Sequence, residues 1–233
     1  MRRVEVIPIE GLPEVRPGDR LAPMIAAACA DLASGDVVVV TQKVVSKAEG
    51  RMVAVDPDDP GAYAALVEAE SVRVLRRRGD LVISETASGF VCANAGIDRS
   101  NVPDGFVTLL PVDADRSARR IRDGLRAAPG VEVGVIVSDT FGRTWRNGVT
   151  DVSIGCAGIA AVVDLRGTTD SLGRQLEVTE VAVADELASA AELVMGKASR
   201  VPAAIIRGVE PSWFRDSSVR AEIVRPPAED LFR

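Results

Sequence analysis

Histidine is absent from this chain of 233 residues. Its absence excludes Ser-His-Asp and Cys-His catalysis and every His-ligated zinc site. Proton transfer must fall to Asp, Glu, Lys, Tyr, Cys or water, and a metal site must be built mainly from oxygens. Cysteine is scarce: Cys29, Cys92 and Cys156 lie far apart, form no C-x-x-C pair, and read as buried thiols of a reducing compartment. Aromatic residues make up only 3% of a chain that is 47% hydrophobic, so the core must be built from Val, Ala, Leu and Ile. Positive charge is not in excess. The net charge of −6 argues against a general nucleic-acid binder, though not against a small anion held in a local basic site. No apolar run is long enough to span a membrane, and the start, Met1 to Glu10, holds no apolar signal segment; a cytoplasmic location is expected. Neither a Walker A sequence nor G-x-G-x-x-G occurs.

What is present is an alternation of strand-like and helix-like segments, though not in strict βαβ units. The length allows one large domain or two small ones. Strands are expected at Val4 to Ile9, Val37 to Val40, Leu81 to Thr86, Phe106 to Leu110, Val131 to Val137, Ala160 to Leu165 and Pro202 to Arg207. Four successive valines at Val37 to Val40 indicate a strand covered on both faces. Helices are expected after Asp19 as N-cap, with Leu21, Ile25, Ala28 and Leu32 on one face, and over Tyr63 to Arg78, Ser117 to Ala128 and Thr179 to Met195. The last reads as the longest, with Thr179 as its N-cap. The run Arg76-Arg77-Arg78 then falls at a helix C-terminus, where it complements the dipole without needing a ligand.

Three stretches carry candidate chemistry. The strongest is Ser138-Asp139-Thr140-Phe141-Gly142-Arg143-Thr144-Trp145-Arg146-Asn147-Gly148, which follows a buried-looking strand. Ligands gather at the carboxyl ends of strands in open α/β sheets. Asp139 and Thr140 offer hard oxygens suited to Mg²⁺ or Mn²⁺. Arg143 and Arg146 offer planar donors for phosphate or carboxylate. The second stretch, Thr41 to Gly50, brings Gln42, Lys43, Ser46 and Lys47 after a buried strand, which suits an anion; a solvated helical turn would look the same. In the third, Asp98 and Asn101 stand three residues apart, spaced either to face one site or to make an ordinary Asx turn.

Taken together, Gln42 to Gly50, Gly89 to Asp98 and Ser138 to Arg143 resemble the coenzyme F-420-0: gamma-glutamyl ligases. Gly11-Leu12-Pro13-Glu14 and Thr150 to Gly155 fit the same pattern, so five ordered blocks span nearly the whole chain. The resemblance implies an α+β fold of two subdomains in an interlocked homodimer. It implies GTP-dependent joining of L-glutamate to the lactyl carboxylate of deazaflavin F-420-0, followed by gamma-linked extension. Leu12, Pro13, Glu14, Val15, Gln42, Lys47 and Asn101 would hold the nucleotide. Asp98 and Asp139 would bind one divalent cation, Mg²⁺ or Mn²⁺, and Thr140 would help bind a second; K⁺ is a further candidate ion. Asp98, Asp139, Arg143 and Arg146 are the candidate catalytic residues, the two arginines on chemistry rather than resemblance.

The sequence departs from the family pattern at Ser88, at Thr144 and in the short loop from Gly196 to Pro202. Its tail, Arg225 to Arg233, resembles the segment leading into a flavin-binding domain in bifunctional actinobacterial relatives. Two other functions use the same residues: a metal-dependent phosphatase or kinase acting on a small acid, and a non-catalytic nucleotide-binding module. Glutamate-dependent GTP consumption separates the ligase from both.

Overall fold

The structure is a computed structural model that describes residues 3–59 and 61–231. Phe232 and Arg233, the end of the tail noted above, lie outside the described residues. In chain order the elements are β1 (Glu5–Pro8), α1 (Leu21–Ala28), β2 (Val37–Thr41), α2 (Gln42–Ala48), β3 (Met52–Ala54) and α3 (Ala62–Ala69). Next come β4 (Ser71–Arg78), β5 (Leu81–Thr86), β6 (Val91–Ala93), β7 (Phe106–Thr108), α4 (Ala114–Ala127), β8 (Gly134–Arg143) and β9 (Arg146–Ala157). The chain continues with β10 (Val163–Asp164), β11 (Glu180–Val181), α5 (Val183–Met195), β12 (Ala203–Arg207) and α6 (Val219–Glu222). The class is mixed α+β, as the sequence indicates.

Five strands form the main sheet in the order β1-β12-β2-β8-β9. Only β2 and β8 run parallel; the other neighbours are antiparallel. Successive side chains on a strand point to opposite faces, and the valines of β2 divide accordingly. Val38 and Val40 pack with Val135, Val137 and Ile205 beneath α1 and α4. Val37 and Val39 pack with Ile136, Ile206 and Cys156 beneath α5. The central strand is therefore covered on both sides, and all four valines are fully buried. A separate apolar cluster of Val67, Val82, Ile97, Val107 and Leu109 lies among α3, the β4-β5-β6 sheet and the β3-β7 pair.

Several local expectations are corrected. Tyr63 to Arg78 is not one helix: α3 ends at Ala69, and Ser71–Arg78 is a strand paired with β5. Val72 and Val74 alternate with Arg73 there, a period that suits a strand better than a helix, and Arg76, Arg77 and Arg78 lie on that strand rather than at a helix end. Asp19 does not cap α1; it accepts from the Arg16 amide at 2.7 Å, and Arg20 holds the N-cap position. Ala182, not Thr179, precedes α5, which at 13 residues is shorter than α4 at 14. The strand expected to end at Val137 runs on to Arg143, and the Ser138 to Gly148 stretch lies in two strands meeting in a hairpin, with Arg143 opposite Arg146.

Candidate active site

Because β2 and β8 are parallel neighbours, with Thr41 opposite Ser138, β2 ends beside the point where β8 runs on toward its hairpin. The chain turns at Thr41 into α2, whose second residue is Lys43. On the other side β8 continues as Asp139 and Thr140, facing Val152 and Asp151 of β9. The segment after β6 brings in Asp98, held by a bridge to Thr108. Three aspartates from separate segments thus meet at one end of the central sheet.

Their contacts define two linked groups. In the first, Lys43 Nζ lies 2.9 Å from Asp98 Oδ2 and donates to Ser100 Oγ at 2.6 Å, while the Ser100 amide donates to Asp98 Oδ1 at 2.6 Å. Burial alone would raise the Asp98 pKa, but the Ser100 amide and Lys43 ammonium outweigh it and hold it below the ordinary value. In the second, the buried Asp151 accepts from Ser138 Oγ at 3.1 Å, Thr140 Oγ1 at 2.6 Å and Lys197 Nζ at 2.8 Å. Lys197 also donates to Thr140 Oγ1 and pairs with Glu192 at 2.9 Å. Asp139 stands between the groups. Burial first, and then the neighbouring Asp98 and Asp151 charges, push its carboxyl up to about 7. The buried Cys92 thiol nearby is pushed up to about 12 by burial and by Asp139, so it remains protonated.

The donor set suits a hard cation at Asp98 and Asp139. Like charges crowd Asp139, and a divalent ion relieves that crowding. Among the described residues, no three His, Cys, Asp or Glu side chains are arranged to enclose a metal by themselves. This is compatible with Mg²⁺-type sites, which take one or two carboxylates and complete the shell with water and substrate phosphates.

All but one of the expected nucleotide residues fall on two neighbouring segments. Glu14 pairs with Lys47 at 2.6 Å, and the Lys47 side chain is only 9% exposed, which removes the reading of α2 as a solvated turn. Gln42 is buried; its Oε1 accepts from Ser46 Oγ at 2.9 Å, but its Nε2 has no hydrogen-bond partner. A buried unpaired N–H costs about 1–3 kcal/mol, so a ligand acceptor there would be favourable. An apolar groove of about 360 Å³ lined by Gly11, Pro13, Pro23, Met24, Ala27 and Ala28 adjoins Leu12 to Val15. Asn101 lies one residue beyond Ser100 in an exposed turn, with φ 55°.

The family model described as F420-0:Gamma-glutamyl ligase matches residues 11–208, from the Gly11 groove through the whole carboxylate cluster. The chain belongs to the F420-0:gamma-glutamyl ligase family. It is 46% identical to the Coenzyme F420:L-glutamate ligase of Methanopyrus kandleri, over 99% of this chain and 97% of that protein. Proteins of the same name from Methanothermobacter thermautotrophicus and Haloarcula marismortui are 44% and 41% identical over 99% of this chain, covering 99% and 96% of their own lengths.

In this F420-0:gamma-glutamyl ligase family member, Asp98, Asp139 and Thr140 lie at one end of the central sheet. Arg143 and Arg146 do not join them. Both are exposed near the hairpin tip, and Arg143 donates to the Asn147 carbonyl at 3.0 Å. Asp151 and Lys197 are the residues that sequence reasoning did not place in the site, and Lys43, read there as an anion holder, pairs with Asp98. A signal for Asp151 existed: a hairpin folded about Thr144-Trp145 sets Thr140 close to Asp151, and directly opposed residues share a face of the sheet. No local signal marks Lys197, which reaches Asp151 from 46 residues away.

Proposed function

We propose that this chain is a GTP-dependent ligase that joins L-glutamate to the lactyl carboxylate of F420-0 and then extends the gamma-linked tail. The match over residues 11–208 carries the reading, and the residues at the sheet edge suit its chemistry. A carboxylate is a poor electrophile and needs activation. A carboxylate oxygen of the deazaflavin substrate attacks the γ-phosphorus of GTP, the bond to the bridging oxygen breaks, and GDP leaves. The glutamate amine then attacks the acyl carbon of the resulting acyl phosphate. The amide bond forms, inorganic phosphate leaves, and the amine gives up a proton.

Such transfer needs positioning and charge neutralisation more than a covalent protein group. Mg²⁺ or Mn²⁺ held by Asp98 and Asp139 would neutralise phosphate charge. Lys43, 18% exposed and fixed by Asp98 and Ser100, is placed to attract phosphate oxygens. Glu14, Gln42, Lys47 and Asn101, with Leu12, Pro13 and Val15, hold the nucleotide, and the apolar groove beside Pro13 offers a face for its base. Arg143 and Arg146 read a substrate carboxylate. The test is the mass of F420-0 after incubation with the protein, GTP, Mn²⁺ and L-glutamate. One or more added glutamyl units are expected; GTP hydrolysis that does not depend on glutamate would favour a phosphatase instead.

The same reading takes residues 1–233 as one ligase domain with two subdomains, one on the five-stranded sheet and one on the β4-β5-β6 sheet. It acts in the cytoplasm as a homodimer. The β8-β9 hairpin supports this, because Trp145 at its tip is 87% exposed and Val149 is 61% exposed. Exposed tryptophan is a frequent interface anchor. Light scattering should give the mass of two chains, and Trp145→Ala should shift it toward one. A wild-type mass of one chain would sink the dimer.

A further inference from the structure

The family resemblance implies a second divalent cation near Thr140, and the side chains around Thr140 do not fit one. Thr140 Oγ1 donates to Asp151 Oδ1 and accepts from Lys197 Nζ. Asp151 Oδ1 takes both Thr140 and Lys197, and Oδ2 takes Ser138. Glu192, one turn before the end of α5, anchors the same ammonium at 2.9 Å. A divalent ion needs oxygens at about 2.0–2.6 Å. It cannot reach Asp151 Oδ1 and Thr140 Oγ1 while an ammonium nitrogen lies within hydrogen-bond distance of both.

We propose that Lys197 is a built-in cation in this chain, taking the place of a second divalent ion beside Thr140 and Asp151. Charge counting agrees. Asp98, Asp139, Asp151 and Glu192 bring four negative charges when ionised, and Lys43 and Lys197 bring two positive ones. The balance is that of one divalent cation, which Asp139 and Asp98 would hold. Backbone geometry places the lysine. The chain leaves α5 at Met195, Gly196 takes φ 58° and ψ 171°, and the next residue turns back over β8 and β9. Asp151 at 2.8 Å and Glu192 at 2.9 Å hold the ammonium in place.

The inference rests on the ligase reading only for the identity of the ions, and it is tested on the nucleotide-free full chain. Mn²⁺ is titrated in, and free Mn²⁺ is followed by its electron paramagnetic resonance signal. The wild type should bind one Mn²⁺ per chain. Lys197→Ala should bind one more, and Lys197→Arg should bind no more than the wild type. Lys197→Gln, which keeps most of the side chain's length without its charge, is the second neutral variant and should also gain a site. The Lys197 side chain is 55% exposed, so these changes do not empty the core. Two sites in the wild type, or no added site in either neutral variant, would overturn the proposal. A wild type with no site and a neutral variant with one would support Lys197 while removing the Asp98–Asp139 metal site.

Discussion

Asp139→Asn should reduce glutamate ligation by about 100-fold or more and, in metal-free protein above pH 7, raise the melting temperature. The first effect follows from losing a carboxylate that, on the proposed reading, would hold a cation, since metal neutralisation of phosphate charge is worth several kcal/mol and each 1.36 kcal/mol is tenfold in rate. The second follows from the crowding of charge. Burial and the Asp98 and Asp151 carboxylates raise the Asp139 pKa from its model-compound value of 3.8 to about 7. In that interval the folded protein binds more protons than the unfolded chain, so stability falls as pH rises through it and levels off above the folded value. At pH 8 the ionised carboxylate costs the metal-free fold on the order of a few kcal/mol, which asparagine removes. Melting curves in chelator at pH 5 and pH 8 test this. The variant should exceed the wild type at pH 8 by roughly 2–4 °C for each kcal/mol, and the gap should narrow at pH 5 and close only below the unfolded value of 3.8. Added Mn²⁺ should stabilise the wild type more than the variant. A variant that melts below the wild type at pH 8 would contradict the charge arrangement described here.

The largest loss of stability is expected for Asp115→Ala. Asp115 lies in the first turn of α4 and is 6% exposed. Its Oδ1 accepts from the amides of Cys156 at 2.8 Å and Val219 at 2.9 Å, and its Oδ2 accepts from Arg220 at 3.2 Å. One carboxylate therefore joins α4, the end of β9 and the start of α6. The fit allows no alternative packing, because a Cβ on Gly155 would stand 2.2 Å from the Ala114 carbonyl carbon and 2.5 Å from the Asp115 nitrogen. Alanine would leave buried amides unpaired and remove charge-assisted bonds, at a cost of about 4 kcal/mol. Asp113→Ala is the control: Asp113 is the exposed N-cap of the same helix, accepting from Arg116 at 2.8 Å, and losing it should cost about 1 kcal/mol. Urea unfolding of both variants decides the matter. Equal losses would mean that the three-way junction contributes nothing beyond a helix cap.

Much of this architecture was legible in the residues, and the reason differs from element to element. Val37 to Val40 could hardly be anything but a strand covered on two faces, since four adjacent β-branched residues leave no polar side for water. The helices α4 and α5 showed themselves by spacing, although their first residues did not. Tyr63 to Arg78 was misleading because helix and strand periods meet there without a Gly or Pro between them. The strand pairing of Val72 to Arg78 with β5 settles that stretch, and pairing is a long-range property. The candidate site was legible chiefly through the five ordered blocks. Asp98, Asp139 and Thr140 lie at one end of the central sheet, whereas Arg143 and Arg146 sit in the exposed hairpin.

From the sequence alone came the fold class, the family and the exclusion of histidine chemistry, because these depend on composition, period and ordered motifs. Only the tertiary structure decided how the candidate site is charged. Lys43 meets Asp98 across 55 positions of sequence, and Lys197 meets Asp151 across 46. Asp139 gains its raised pKa first from burial and then from carboxylates on two other segments. Electrostatic energy depends on distance in space, and the chain brings these charges together only after β2 and β8 align and the hairpin folds back on itself.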